Sequence, residues 1–184
     1  RMMAKLDNLD QYNLDHLHSA VSAGEPLNRE VVEQFRKHFN LTVRDGYGQT
    51  ESTLLIGFLK DTEPRPGSMG KAIPGSRVAV VDDDGNKVDT NVKGNIALPL
   101  DFPGLFKGYF KDEKRTKEAH AGDYYITGDL AHIDEDGYFW FEGRRDDIII
   151  SSGYTIGPFE VEDALTNHEA VKECAVVALS LIHI

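Results

Sequence analysis

The chain has 184 residues, with 31 acidic against 20 basic side chains and a formal net charge of -11. A balance of that sign opposes attraction to nucleic acid or to an anionic membrane surface, so no nucleic-acid partner is expected. Hydrophobic residues at 40% and aromatics at 9% describe a globular chain with a core, and no apolar run approaches the roughly 20 residues of a membrane span. Cys174 is the one cysteine; with no internal disulfide possible, a reducing cytoplasm is the expected compartment. Residues 1 to 24 carry Lys5, Asp7, Asp10 and Asp15 and lack the apolar stretch of a signal peptide.

Within REVVEQFRKHF, Val31, Val32, Phe35 and Phe39 fall at helical spacing. The sequence therefore predicts an amphipathic helix over 29–39, with Asn28 as N-cap. Leu41 and Val43 alternate through LTVRDG, a short strand expected to stop at Gly46. The octapeptide DGYGQTES, residues 45 to 52, then lies at the carboxyl end of that strand, where open α/β sheets place their ligands. From Glu63 onward RVAVVD, DDGN, GNIALPL, YYITGDLAHID, DEDG and YFWFEGR read as short strands divided by tight turns. They predict a meander or small β-barrel over 63–145, packed beside the α/β part. After Arg144, DDIIISSGY is a strand with a glycine brake, PFEVEDALTNH a helix with Pro158 in its first turn, and VKECAVVAL a further strand. The fold class is α/β, mixed with α+β character, and a β-α-β unit starts at 147.

AGEPL (23–27), DGYGQTE (45–51), GKAIPG (70–75), GLFKGYFKDEKRT (104–116), TGDL (127–130) and GRRDDIIISSGYTIGPFEVEDAL (143–165) occur in this order. Together they resemble the adenylate-forming, AMP-binding enzymes: acyl-CoA synthetases, the adenylation domains of peptide synthetases, and luciferases. The resemblance runs from Gly24 to Val177. It implies a reaction in two steps, in which a carboxylate attacks the α-phosphate of ATP to form an acyl-adenylate and pyrophosphate, and the thiol of CoA then displaces AMP. It also implies an internal fragment of a longer enzyme. Residues 1–146 would be the C-terminal portion of the large AMP-binding domain, and 147–184 the truncated start of the small C-terminal domain. The loop that cradles pyrophosphate is expected upstream of Arg1, and the lysine that orients carboxylate and phosphate downstream of Ile184. LSLIHI, 179–184, departs from the family pattern as non-native sequence would, and the chain alone is expected to make no acyl-adenylate.

The same resemblance assigns roles residue by residue. Tyr47 is the implied adenine platform, since a base stacked on an aromatic ring gains about 1–3 kcal/mol, and Gly46 beside it lets the backbone approach the nucleotide. Gly24, Glu25 and Pro26 cover another face of the adenine, and Asp45 or its backbone accepts from the exocyclic amine. Thr50 donates to the α-phosphate. Glu51 holds Mg²⁺, which takes oxygen ligands and keeps several waters. Asp129 accepts from the ribose hydroxyls, as a carboxylate can without donating. Arg144 is the ribose-binding arginine and Asp146 the hinge of the small domain. Ser152 and Gly153 line the thiol channel, while Thr155 stands where the family commonly has arginine, which bears on the phosphate contact. Without the resemblance the same residues read more plainly: Tyr47 as core, Thr50 and Glu51 as a helix cap, Asp129 as a turn residue, and Arg144 to Asp146 as a solvated loop.

Gly48 bears on the acid. Relatives specific for acetate carry tryptophan there; glycine leaves room for a longer or branched acyl chain, each buried CH₂ being worth about 0.8 kcal/mol. YGQTE, SGYTIGP and EGRRDDII are most similar to medium-chain acyl-CoA synthetases. The substrates implied are small molecules: a fatty acid, ATP and CoA. Two alternatives stay open, an amino-acid-activating domain delivering to a carrier-protein thiol, which commonly has proline where Gln49 stands, and a nucleotide-binding module without catalysis. His38, His120, His132 and His168 stand singly and read as surface or helix-end residues, and Trp140 as strand packing.

Overall fold

The computed structural model describes residues 9–24, 27, 29–151, 154–166, 168, 170–171 and 174–179. The helix read from the apolar spacing forms as α1 (Arg29–Phe39). It buries Val31 and Val32 and sets Phe35 edge-on to Phe39, with ring centroids 5.6 Å apart. Asn28, its expected N-cap, lies outside the described residues. β1 (Ala20–Ala23) pairs in parallel with β2 (Val43–Gly48), so α1 is the crossover that two parallel strands require. β2 does not stop at Gly46. On its other edge β3 (Leu54–Gly57) pairs with Tyr47 and Gly48, and the ladder carries the strand through them.

The meander follows as β4 (Ser68–Ala72), β5 (Ala79–Val81), β6 (Gly94–Pro99), β7 (His120–Ala121), β8 (Tyr124–Ile133) and β9 (Tyr138–Arg144). Its turns are closed by aspartates, as short polar side chains close them. Asp82 Oδ1 accepts from the amides of Asp84 and Asn86, and Asp134 Oδ1 from those of Asp136 and Tyr138. α2 (Glu113–Glu118), which the apolar periodicity did not announce, is capped by Asp112, whose carboxylate accepts from the Arg115 amide at 2.9 Å.

Hydrogen bonding joins all these strands in one open path, β1-β2-β3-β4-β9-β8-β6-β5, with β7 on β8. The meander is thus continuous with the parallel pair. In a flat sheet β2 and β8, four steps apart on this path, would lie about 19 Å from each other. The register shifts between Tyr47 and Gly48, Ser68 and Gly70, Asn95 and Ala97, and Leu130 and Ala131. Each such irregularity bends and twists the ladder. The sheet curls around a core of Leu55, Ile56, Ile96, Leu98, Tyr125 and Phe139, and β2 and β8 come to face each other across it.

Beyond β9, the expected single strand is a hairpin of β10 (Ile149–Ser151) and β11 (Tyr154–Ile156). α3 (Pro158–Thr166) then begins on its proline, where the missing N–H has no helical partner to lose. The strand expected at 171–179 is not formed among the residues described there. The amide of Val176, a donor a ladder would use, donates instead to Glu162 Oε1 of α3, and Cys174 Sγ donates to the Glu162 carbonyl. No helix among the described residues is long and apolar enough to cross a membrane.

Candidate active site

The curl of the sheet delivers a polar cluster between β2 and β8. Asp129 lies within β8 rather than in a turn, at 6% exposure. A carboxylate so withdrawn from water needs donors, and two converge on one oxygen. Tyr47 Oη and Gln49 Nε2 each donate to Asp129 Oδ2 at 2.6 Å. Gln49 Nε2 also donates to the Thr127 carbonyl at 3.0 Å, and Thr127 Oγ1 accepts from the Asp129 amide at 3.2 Å while donating to the Ile96 carbonyl. Burial, then the Asp129 charge and hydrogen bond, push the Tyr47 phenol far above its ordinary value. Tyr47 therefore remains a donor at any working pH.

Antiparallel register places Arg144 of β9 directly across from Asp129. Its Nε stands 3.9 Å from Asp129 Oδ1, and half of the side chain is open to solvent. Gly128, at φ +81°, holds a left-handed backbone conformation beside Arg144 that favours glycine. With Oδ2 already taking two donors, Oδ1 is the Asp129 oxygen left to accept from a ligand hydroxyl.

Glu51 sits on the turn after β2, half buried. Its Oε1 accepts from Tyr109 Oη at 3.0 Å, and its carbonyl from the Phe106 amide at 2.8 Å. Phe106 packs edge-on against both Tyr109 and Tyr125, and the Arg115 guanidinium stacks 4.0 Å over the Tyr109 ring. No group of three or more His, Cys, Asp or Glu side chains that could hold a metal occurs among the described residues. A lone carboxylate suits a cation that fills its shell from water and ligand oxygens, as Mg²⁺ does, and not one caged by protein alone.

The remaining expected site residues fall as follows. Thr50 is exposed beside Glu51. Gly24 follows Ala23, which pairs with Gly46, so parallel register brings the first and second motifs together. Asp45 is half buried; burial pushes its carboxyl up to about 6, against lowering by hydrogen bonds from the Gly46 and Leu27 backbone. Asp146 is exposed in a 3-10 turn, Arg145–Asp147, where Arg145 pairs with Asp83 at 3.3 Å. Glu25, Pro26, Ser152 and Gly153 lie outside the described residues.

At Gly48 a Cβ would lie 2.2 Å from the Thr53 carbonyl oxygen, a close backbone approach at the bulge, so any larger residue there would require the 52–54 segment to move. His132 is half-buried on β8, where it stacks on Trp140 and pairs with Glu142.

Sequence reasoning passed over Gln49, Tyr109, Tyr125 and Thr127 as site residues. Gln49 and Thr127 were readable as neighbours of assigned positions. Tyr109 lies inside the 104–116 motif and Tyr125 two residues before TGDL, but neither position carries an assigned role in the sequence, and the tertiary fold brings both to the cluster.

A family model described as AMP-binding enzyme matches residues 1–110. The chain is 64% identical over 178 residues to the Bacillus subtilis (strain 168) protein described as uncharacterized acyl-CoA ligase YtcI, covering 97% of this chain and 34% of that one. It is 47% identical over 181 residues to the mitochondrial acyl-coenzyme A synthetase ACSM3 of Mus musculus, covering 97% and 31% respectively. Among solved structures, the anthranilate CoA ligase AuaEII in complex with anthranoyl-AMP superposes with a TM-score of 0.87 at 32% identity, over 97% of this chain and 34% of that one. The chain spans about a third of the length of the relatives it matches.

Proposed function

The chain belongs to the AMP-binding enzyme family, and on that premise we propose that it carries the nucleotide-sugar and metal end of an ATP-dependent acid-thiol ligase. The observation that carries this reading is the convergence of Tyr47 and Gln49 on Asp129 at 2.6 Å, with Arg144 across the ladder. Asp129 Oδ1 accepts from the ribose, Arg144 adds a cation at the same edge, and Tyr47 presents its ring to the adenine beside the Gly24 turn, with Glu25, Pro26, Asp45 and Gly46 as further contacts. Thr50 donates to the α-phosphate. Mg²⁺ held by Glu51 would neutralise charge that develops as pyrophosphate leaves. Fixed donors and acceptors of this kind act by positioning and charge stabilisation, without a side-chain nucleophile.

The acid is a medium-chain or short branched fatty acid and the acceptor thiol is CoA, entering past Ser152 and Gly153 while the segment after Asp146 rotates. This assignment rests on the motif resemblance and on relatives named as acyl-CoA ligases, not on space at Gly48. With Cys174 as the one cysteine, a reducing compartment such as the cytoplasm suits it.

Calorimetric titration of the chain with AMP tests the reading. Binding is expected, with Asp129→Asn weakening it by about tenfold or more, as loss of a charged hydrogen-bonding partner does. An affinity for AMP that Asp129→Asn leaves unchanged sinks the site. The parent enzyme is expected to favour hexanoate, butyrate or isobutyrate over acetate, and a preference for acetate refutes the acid assignment.

A further inference from the structure

Resting on the metal assignment of Glu51 above, we propose that Tyr109 is a positioning residue for that carboxylate, and that the motif GLFKGYFKDEKRT, 104–116, is the strap that holds it in place. The family resemblance assigns this motif no role of its own. Tyr109 Oη donates to Glu51 Oε1 at 3.0 Å, and the Phe106 amide donates to the Glu51 carbonyl at 2.8 Å. One segment thus grips both the side chain and the backbone of a residue that Tyr109 follows by 58 positions. Among the described residues no basic side chain pairs with Glu51, and no hydrogen bond reaches its Oε2. The choice of donor matters chemically. A lysine or arginine in the place of Tyr109 would neutralise the carboxylate and compete with a divalent cation. A phenol is neutral: it orients one oxygen and leaves the negative charge to the ion.

The strap itself is well fixed. The Tyr109 amide donates to Thr116 Oγ1 at 2.9 Å, and Thr116 Oγ1 donates in turn to the Asp112 carbonyl at 2.9 Å. The Tyr109 ring meets Phe106 edge-on at 4.9 Å, and Phe102, Leu105 and Phe106 root the segment in the core cluster. Gly108, at φ +135°, lets the chain turn closely onto α2, since a Cβ there would lie 3.1 Å from Thr116 Cγ2. The Arg115 guanidinium covers the Tyr109 ring at 4.0 Å, and the Arg115 backbone is held by Asp112 Oδ1. A cation over an aromatic face draws electron density from it, which makes the phenol a stronger donor. Arg115 therefore supports Glu51 through the ring, without pairing with the carboxylate. α2 buries no residue of its own; in this reading its first turns supply Arg115 and Thr116 to the strap.

The decisive variant is Tyr109→Phe, which removes the hydroxyl and keeps the ring against Phe106 and under Arg115. The first measurement needs no nucleotide. Mn²⁺, which shares the preference of Mg²⁺ for carboxylate and water oxygens, is titrated into the chain carrying ¹³C-labelled glutamate carboxyls, and broadening of the Glu51 resonance is followed; Glu51→Gln identifies that resonance by its loss. Tyr109→Phe is expected to raise the Mn²⁺ concentration for half-broadening about tenfold, the lower end of the loss when a metal-binding carboxylate is deprived of its hydrogen-bonding partner. The other glutamates are expected to keep their responses. An unaltered Glu51 response in Tyr109→Phe overturns the proposal, as does a Glu51 resonance in the unsubstituted chain that Mn²⁺ broadens no more than those of exposed glutamates. The second measurement is calorimetric. Tyr109→Phe is expected to reduce the gain in ATP affinity that Mg²⁺ provides, while metal-free AMP binding stays within about twofold, as for a site outside the altered contact. Equal weakening of AMP and Mg-ATP makes Tyr109 a support of the whole site and overturns the proposal. If the unsubstituted chain binds no nucleotide and Tyr109→Phe still shifts the Mn²⁺ response of Glu51, the nucleotide reading fails and the role of Tyr109 stands.

Discussion

Asp129 and Asp45 are both withdrawn from water near the bend of β2, and they are answered differently. Asp129 has two side-chain donors at 2.6 Å. Asp45 has the Gly46 amide at 2.9 Å and a backbone contact from Leu27, which do not offset its burial, so its carboxyl rises from 3.8 to about 6. A carboxyl that holds its proton more tightly in the folded state favours folding most below its unfolded value; that advantage is lost as pH rises through the folded one. Asp45→Asn keeps an acceptor for Gly46 and cannot ionise. Its melting temperature is therefore expected to exceed that of the unsubstituted chain near pH 7, with the gap closing toward about pH 4. Circular dichroism melts at both pH values check this, and a gap that does not narrow in acid rules it out. The plainer sequence reading of Tyr47 as a core residue is partly realised. Its ring packs against the core cluster while its hydroxyl serves Asp129.

Elements formed where local signals were strong and departed where a neighbour decided. α1 follows its apolar stripe to the residue, because Val31 and Val32 have a sheet to pack on. β1, with burial alternating along AVSA, has too little apolar character to be read and exists because β2 offers it an edge. β2 outruns its expected end because β3 pairs with Tyr47 and Gly48. α2 owes its start to Asp112 and buries no residue. Replacing Asp112 with Ala is therefore expected to cost about 1 kcal/mol locally, speeding hydrogen exchange at the Arg115 amide roughly fivefold. Since α2 buries no residue and touches the rest of the chain chiefly through Tyr109, global stability is expected to fall by less than this local cost, and a matching fall in the denaturant midpoint of the whole chain contradicts that expectation.

For the whole molecule, the site is a consequence of the curl, and the curl of the core beneath it. Leu98 is fully buried on β6 in the cluster that β2, β3, β8 and β9 enclose. Leu98→Ala is expected to cost about 2–5 kcal/mol, since the cavity it leaves can collapse only in part. Urea unfolding measures the loss, and a change below about 1 kcal/mol means the sheet does not wrap this core as tightly as described. By itself the sequence determined the helix at 29–39, the turn chemistry of the meander, and the ordered motifs that reveal the family, because spacing, capping and glycine preference act within a few residues. Only the tertiary structure decided that Tyr47 would meet Asp129 and that Tyr109 and Tyr125 would join them. Those contacts cross from 76 to 82 residues for β2 to β8 and 58 for Glu51 to Tyr109. They depend on bulges summed over several strands, a geometry that no local window of residue types encodes.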